Sequence, residues 1–510
     1  MNRAKKATRN SIYAIATQVA SLIYGLLVPR LVLAHYGSEL NGLVSSINQF
    51  IQYFTLLESG LASAAIYSLF KPLEDNDEQT CAEIVSDCDY EYKKIGFIFV
   101  GLAFALALIF PHFKNAEGLS TVECSLLVLA ISINTGISYF IFGKYRALLT
   151  AAQYQHVLSI ISMLNMVVIT IAVVLCVNVI NTPIWIMKAV SAAVPLLQLP
   201  MLMIYTRQKY PWIKKCKTKK YGRIKNRYVA FGNEIMGVVF TSSPIVLLTT
   251  FVSLTQVSVY SVYNTIYHGI ATLFGSVNLA FASMFGSLVA NGNNDETAHT
   301  YKQFESIFYH LSSFAYSCCY VLTLPFLAFY TRGISDVEYL VPLYAFLFSL
   351  NGWFSNAYTP QAVMIRAGGL FKETRFQIYA QTTIGVILGI GFTSKWGISG
   401  LLLSQIIANA VRMIMAIKTI DFDTGYLDKK NAIIHLCLSG FQMFVSILFS
   451  QFVLGIMKIA EPTTSLVRWF LQAIITAIVS AVIMILFILL TDKDSISFIK
   501  RITKSKKCKE

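Results

Sequence analysis

Charge is scarce in this sequence: Asp, Glu, Lys and Arg make up only 13% of its 510 residues, about half the fraction found in ordinary soluble domains. Nine apolar residue types, from Ala to Cys, supply 55%. A soluble fold cannot hide this much apolar surface, because exposed apolar patches larger than a few hundred Å² drive association. The composition therefore excludes a soluble globular chain and predicts an all-α polytopic membrane protein.

The common signatures of enzymes and metal sites are also missing. The sequence has no Walker A loop, no HExxH, no GxSxG and no nucleotide-binding domain, which excludes transport driven by its own ATP hydrolysis. None of its nine cysteines forms a CxxC pair, so we expect free thiols and no metal site. These absences predict a transporter rather than an enzyme, with no cofactor.

The net charge of +15 would suggest nucleic acid as a partner if the chain were soluble. The basic residues instead gather between apolar segments, where they set membrane orientation and meet anionic lipid. We therefore expect membrane lipids as partners, and no nucleic acid.

About fourteen apolar segments are long enough to cross a bilayer, which takes about 20 residues. The predicted spans are 10–36, 41–70, 95–111, 122–145, 156–179, 183–206, 228–253, 256–290, 303–330, 336–365, 376–394, 397–418, 431–457 and 467–491. Lys and Arg concentrate in alternate gaps and in both tails, so the positive-inside rule places both termini in the cytoplasm. The outer loops are short, which leaves no room for a sizeable external domain.

An internal repeat is visible when the chain is aligned with itself so that Asn48 falls on Asn264, an alignment that we call the repeat register. It places GLVSSINQFIQYF from Gly42 on SVYSVYNTIYHGI from Ser258, and VVITIAVVLC on TIGVILGIGF. One register that serves several helices predicts two parallel six-helix repeats. We expect an N-terminal lobe at 1–206, a basic cytoplasmic linker at 207–227, a C-terminal lobe at 228–418, and two extra helices with a basic tail at 419–510.

Polar residues inside the predicted helices mark a candidate substrate cavity. Asn48 and Gln52 share one face of helix 2 because they lie one helical turn apart, and Asn264 and His268 match them in helix 8. The repeat register also places Gln18 of helix 1 on Glu234 of helix 7. Two interpretations stay open: these side chains line a water-filled cavity, or they form interhelical hydrogen bonds.

Charged residues within the apolar segments extend this set. Glu58 lies near the middle of helix 2, where a carboxylate must be protonated, paired or in contact with water. Arg30, which follows Pro29, and Lys188 lie toward the predicted outer ends of helices 1 and 6, so a cavity role and simple snorkelling are both open for them.

A basic inner vestibule is predicted where helices 4 and 10 end. Its residues are Lys144, Arg146, Arg366, Lys372 and Arg375. They either fix the topology or attract a phosphate-bearing lipid headgroup. The linker, likewise, is either an ordinary positive-inside loop or an interfacial lipid-binding segment. The acidic segment DEQTCAEIVSDCDYEYKK after helix 2 is expected to be a cytoplasmic loop or a short helix whose charges stay solvated.

The chain resembles the Wzx-type polysaccharide flippases of the MOP exporter superfamily. The resemblance rests on the layout of helices and repeats and on segments such as RNSIYAIATQVASLIYGLLVPRLVLAHYGSELNGLVSSINQF, YRALLTAAQYQHVLSIISMLN and GGLFKETRFQIYAQTTIGVILGIGFTSKWGISG. It implies a MOP/MATE-like fold in which helices 1, 2, 7 and 8 line a central cavity. It also implies the function: alternating access moves undecaprenyl-pyrophosphate-linked oligosaccharide repeats across a bacterial inner membrane, for capsule or O-antigen.

The same resemblance implies partners. These are the polyprenyl-pyrophosphate-linked oligosaccharide, H+ or Na+ as a coupling ion, and polysaccharide polymerase machinery. Related lipid II flippases carry several arginines in helices 1, 2 and 8, whereas here only Arg30 is present, so a strongly cationic lumen is not expected.

The alternative function is that of an ion-coupled drug or metabolite antiporter of the multidrug-extrusion type, which usually needs only twelve helices.

Overall fold

The computed structural model describes residues 3–215, 217–224, 231–290, 292, 294–370, 374–424, 429–459 and 465–491. Across these ranges every regular element is helical, which confirms the predicted all-α class. The helices of the first half are α1 Arg3–Phe54, α2 Leu61–Glu74, α3 Glu78–Phe113, α4 Thr121–Ile137, α5 Gly143–Ala151, α6 Gln155–Leu175, α7 Ile184–Ala193, α8 Gln198–Lys209 and α9 Phe231–Phe251. Those of the second half are α10 Leu254–Ala290, α11 Asn294–Tyr330, α12 Pro342–Ala357, α13 Thr359–Gly368, α14 Arg375–Thr424, α15 Lys429–Ile456 and α16 Leu466–Thr491.

Ten helical stretches in the described part of the chain are long and apolar enough to cross a membrane. One of them, Ile12–Glu74, has 63 residues and would be about 95 Å long if straight, far more than the hydrocarbon core of about 30 Å. It bends at Gly37, whose φ of 83° interrupts the helix. The bend separates the predicted spans 10–36 and 41–70. The total of fourteen membrane-spanning helices stays a prediction.

Helix 3 extends well before its predicted membrane span. The structure begins α3 at Glu78, so the acidic segment belongs to one long helix that contains the span at 95–111. The Asp77 carboxylate accepts a hydrogen bond from the Thr80 backbone amide at 3.0 Å and caps the helix. Hydrogen bonds from the Thr80 side chain and then from its backbone amide lower the pKa of Asp77 below its ordinary value. A cap of this kind starts a helix without any apolar run, which explains why hydropathy missed it.

Two other predicted spans are divided in the structure. The span at 122–145 continues from α4 through a π-helical turn at Ser138–Phe142 into α5. The span at 336–365 begins only at Pro342 and comprises α12 and α13. Proline is favoured in the first turn of a helix, where its missing N–H costs nothing.

The backbone confirms the repeat and its register. In the repeat register Glu78, where α3 begins, falls on Asn294, where α11 begins, and the starts of α5 and α13 coincide as well. Left-handed residues fall on each other in the same register: Asn76 (φ 54°) and Gly292 (72°), Gln153 (62°) and Gly369 (68°), Asn181 (55°) and Gly397 (57°). Few non-glycine residues adopt a positive φ. The coincidence of three such positions is therefore evidence for the repeat that the regular spacing of apolar residues in helices does not explain.

The chain divides into two compact units, Met1–Thr249 with Ser253–Ser258, and Thr250–Val252 with Val259–Glu510. The first unit is built around fully buried apolar side chains such as Leu43, Ile47 and Leu127. In the second unit α11 packs against α12, α13, α15 and α16. Helix α11 buries the phenol side chains of Tyr301, Tyr309 and Tyr316.

Candidate functional site

Helix 2 is broken at the position of its predicted charged residue. After α1 ends at Phe54, residues Thr55–Glu58 form a short 3-10 turn. Gly60 then adopts a left-handed conformation (φ 76°) before α2 begins. A break of this kind removes regular backbone hydrogen bonds and makes room for polar side chains. It holds Glu58, which is half-buried, in the first unit.

Three further polar groups join Glu58 at this break. The Ser59 hydroxyl donates a hydrogen bond to the Glu234 carboxylate in the first turn of α9. Glu58 lies within electrostatic range of both Glu234 and the Arg146 guanidinium on α5. We call these four residues, Glu58, Ser59, Arg146 and Glu234, the charged cluster. The structure thus brings together two residues assigned from sequence to the cavity and one assigned to the vestibule.

Two buried tyrosines lie beside the charged cluster. The rings of Tyr92 and Tyr139 stack with centroids 6.3 Å apart, and both interact electrostatically with Glu58. The Tyr139 hydroxyl makes no hydrogen bond within the described part of the chain. Tyr92 packs tightly on α5, because a methyl group at Gly143 would lie 2.5 Å from its ring. The rings therefore fix the position of α5, which carries Arg146.

The composition of the charged cluster suits it to anions and protons. A guanidinium presents several donors to a phosphate group, and Arg146 is exposed. The half-buried Glu58 carboxylate is a group that can carry a proton in the same cluster. No group of three or more His, Cys, Asp or Glu that could hold a metal occurs among the described residues.

The four polar side chains predicted to share one face of helix 2 and of helix 8 are largely accessible. Asn48, Gln52 and His268 are exposed, and Asn264 is half-buried. The Gln52 amide reaches only Thr55, one turn away, at 3.4 Å. Among the hydrogen bonds of the described residues, none joins these four side chains to another helix. The alternative of interhelical hydrogen bonds therefore gains no support, and a role in a cavity stays a prediction.

Gln18, Arg30 and Lys188 are all half-buried, on α1 and α7. Gln18 and Arg30 each interact with other residues of the protein. Neither Arg30 nor Lys188 is among the electrostatic neighbours of Glu58.

The residues of the predicted inner vestibule have different surroundings. The Lys144 ammonium forms a salt bridge of 3.2 Å with Asp89 on α3, so its charge is already neutralised. Arg366 and Arg375 are exposed, at the end of α13 and the start of α14. Lys372 lies outside the described residues. Arg146 is the vestibule residue that belongs to the charged cluster.

The expectation that the acidic segment stays solvated was wrong. The Asp87 carboxylate accepts backbone hydrogen bonds from Tyr221 and, at 2.6 Å, from Arg223. Ser86 pairs with the backbone of Lys219, and Glu83 forms a salt bridge of 2.6 Å with Arg223. Residues 218–223, which we call the docked linker segment, are thus bound to α3. Contacts between segments so distant in the chain leave no trace in local sequence patterns.

Two polar networks in the second unit were not predicted. Glu305 on α11 is 3% exposed and accepts a hydrogen bond of 2.7 Å from the Gln361 amide. Arg412 donates to Gln381 at 2.7 Å and lies 4.1 Å from the centre of the Tyr358 ring. Arg412 stands inside an otherwise apolar stretch, a signal that would have identified it. Glu305 follows the polar run NNDETAHTYKQ and gives no such signal.

Comparisons with known proteins agree with this architecture. No protein-family model matches the chain, and no curated protein matches its sequence. A solved structure of the lipid II flippase MurJ in an inward closed conformation aligns with a TM-score of 0.66 and 15% identity, over 94% of this chain and 98% of the flippase.

Two MATE structures align less closely. An inward-facing multidrug resistance MATE family transporter of the MOP superfamily gives a TM-score of 0.54 at 12% identity, over 83% of this chain and 95% of that one. The eukaryotic MATE transporter AtDTX14 gives 0.51 at 15% identity, over 86% and 99%. These likenesses confirm the predicted MOP/MATE-like fold, while membership of the Wzx type stays a prediction.

Proposed function

We propose that this protein is a flippase that moves undecaprenyl-pyrophosphate-linked oligosaccharide repeat units from the cytoplasmic to the outer leaflet by alternating access. The product would feed capsule or O-antigen synthesis, with polysaccharide polymerase machinery as a partner. The protein would lie in a bacterial inner membrane with both termini in the cytoplasm. The fold likeness to a lipid II flippase over 94% of the chain supports a lipid-linked substrate.

The single observation that carries the proposal is the charged cluster at the break in helix 2. Arg146 is an exposed cation beside the half-buried Glu58, and a pyrophosphate needs a cationic partner wherever it leaves bulk water. Glu58 supplies a carboxylate whose protonation would change the net charge of the same site. The predicted cavity residues Gln18, Asn48, Gln52, Asn264 and His268 would hydrogen-bond the sugar, with Arg30 and Lys188 as further cations.

Transport into reconstituted vesicles tests this assignment. With an undecaprenyl-pyrophosphate-linked oligosaccharide in the inner leaflet, we expect Arg146→Gln to slow its appearance outside about tenfold, the equivalent of one charge-assisted hydrogen bond. Arg332→Gln is the matched control, because Arg332 is exposed in the turn after α11 and outside the proposed site. Equal rates for wild type and Arg146→Gln would contradict the role of the charged cluster.

Ion coupling is tested in the same vesicles with a pH gradient. If a proton on Glu58 drives the cycle, Glu58→Gln holds the group neutral and should abolish the response of the transport rate to the gradient. Asp75→Asn, an exposed acid after α2, serves as the control. An unchanged pH response in Glu58→Gln would exclude coupling through this carboxylate.

The multidrug-type antiporter remains the second candidate, favoured by the likeness to two MATE structures. It predicts that cells expressing the protein accumulate less of a cationic dye, with no change in lipid-linked glycan. The additional helices α15 and α16 favour the flippase, since multidrug transporters of this fold usually need only twelve helices.

A further inference from the structure

The internal repeat pairs two buried carboxylates that have opposite surroundings. Asp89 of α3 falls on Glu305 of α11 in the repeat register, which the helix starts and the left-handed positions share. Both are buried, at 4% and 3% exposure. They therefore occupy equivalent places in the two repeats.

Asp89 is surrounded by positive charge. Its Oδ2 atom accepts from the ammonium groups of Lys93 at 3.0 Å and Lys144 at 3.2 Å. The Thr218 hydroxyl donates to the same oxygen at 2.7 Å. Two cations and a hydroxyl compensate for the desolvation of an ionised carboxylate, so Asp89 is charged.

Among the described residues, Glu305 has only uncharged partners. The Gln361 amide nitrogen and the Tyr309 hydroxyl donate to its Oε1 atom at 2.7 and 3.0 Å, and Tyr301 is its other electrostatic neighbour. In the repeat register Tyr309 replaces Lys93, and Pro360 replaces Lys144. The substitutions remove the cations that stabilise the charge of Asp89.

The described part of the chain supplies no compensating positive charge. Helix α10 contacts α11 through ring pairs such as Phe285 and Tyr301, and α12, α13, α15 and α16 also pack on α11. Among the described residues of these helices, no Lys, Arg or His is within electrostatic range of Glu305.

Lys302, which lies one turn before Glu305, is exposed and is not among its electrostatic neighbours. The histidines of α11 itself bond elsewhere, His299 to Gln303 and His310 to Gln442 of α15. Burying an ionised carboxylate without a counter-ion is strongly unfavourable, and such a group takes up a proton instead.

We propose that Glu305 is a proton-binding site of the second unit, uncharged at neutral pH, where its repeat equivalent Asp89 is ionised. The ligand is a proton rather than a metal cation. The groups that face Oε1 are donors, an amide N–H and a hydroxyl O–H, whereas a cation would require a cage of acceptor oxygens. Deprotonation would leave a buried charge between α11 and α13 and would destabilise their contact.

Infrared spectroscopy of the purified full-length protein tests this directly and needs no transport substrate. At neutral pH we expect a carbonyl band from a protonated carboxyl group that disappears in Glu305→Gln. Asp89→Asn is the matched control and should leave the band unchanged. Tyr309→Phe removes one donor to the same oxygen and should move the band to higher frequency.

Thermal unfolding across a pH series gives a second readout. As the pH rises, wild type should lose stability relative to Glu305→Gln, because only wild type can acquire the unpaired charge. A protonated-carboxyl band that is identical in wild type and Glu305→Gln, or one that disappears in Asp89→Asn, would overturn the assignment. A sodium-dependent rise in Tm that Glu305→Gln abolishes would also overturn it, in favour of a cation site. Neither readout depends on the proposed flippase activity.

Discussion

Single residues set the distance between helices in the first unit, and Gly42 on α1 is the tightest case. A methyl group there would lie 1.8 Å from the Leu254 carbonyl oxygen at the start of α10. Neighbouring side chains exploit this approach: Asn41 donates to Ser258 at 2.8 Å, and Ser46 pairs with Thr249 at 2.6 Å. Small residues allow such approaches between helices in a membrane.

We expect Gly42→Ala to destabilise the protein by about 1–3 kcal/mol, because backbone must move to admit the methyl group. Gly101→Ala is the control: Gly101 is also helical, and its added methyl would meet no atom within 4 Å. Thermal unfolding of both variants in detergent measures the difference. A Gly42→Ala variant as stable as Gly101→Ala would mean that α1 and α10 do not pack this closely.

Residue identity predicted part of the candidate site, for a clear physical reason. An ionisable group in an apolar helix is unusual enough to mark Glu58 and Glu234 from sequence alone, and the structure brings both to one place. The sequence alone does not reveal which of these side chains come into contact in the folded protein. Arg146 lies in a basic stretch whose ordinary function is topology, so its proximity to Glu58 could not be anticipated.

At the scale of elements, the contact between α3 and the docked linker segment has no counterpart in the sequence pattern. Asp87 accepts two backbone hydrogen bonds from the segment, and salt bridges at Glu83 and Glu91 flank it. The side chains of the flanking pairs are partly exposed and contribute little. Asp87 is buried at 2% exposure, so its hydrogen bonds account for most of the docking.

Asp87→Ala should therefore release the docked linker segment. Trypsin would then cleave after the basic residues Lys219, Lys220 and Arg223. We expect cleavage there about tenfold faster than in wild type, because the loss of one charge-assisted hydrogen bond shifts the equilibrium between the bound and released segment by about tenfold. Glu78→Ala, at an exposed acid in the first turn of the same helix, is the control. Equal cleavage in both variants would show that Asp87 does not hold the linker.

Element boundaries were predictable where hydropathy decides them. Lipid requires a long apolar run, and α15 and α16 begin and end close to the predicted positions. Where a polar cap or a residue in the left-handed conformation sets the end of a helix, hydropathy does not indicate the boundary. The early start of α3 after Asp77 and the break at Gly60 are both of this kind.

For the whole molecule, the repeat was the most informative feature of the sequence. The repeat register, inferred from a few aligned polar positions, recurs in helix starts and in three pairs of left-handed residues. Backbone geometry is shared between the repeats, while the chemistry has diverged. The salt-bridged Asp89 and the Glu305 with neutral partners illustrate this divergence at equivalent positions.

The proposed transport of a lipid-linked oligosaccharide across the inner membrane is tested most directly in the host itself. The measurement deletes the gene in a strain that lacks redundant flippases and quantifies the lipid-linked glycan in each leaflet with a label that reaches only the outer face. We expect accumulation in the inner leaflet, which the intact gene reverses and a membrane-inserted Arg146→Gln, Glu58→Gln variant does not. An unchanged distribution between the leaflets would exclude a flippase and make small-molecule export the leading function.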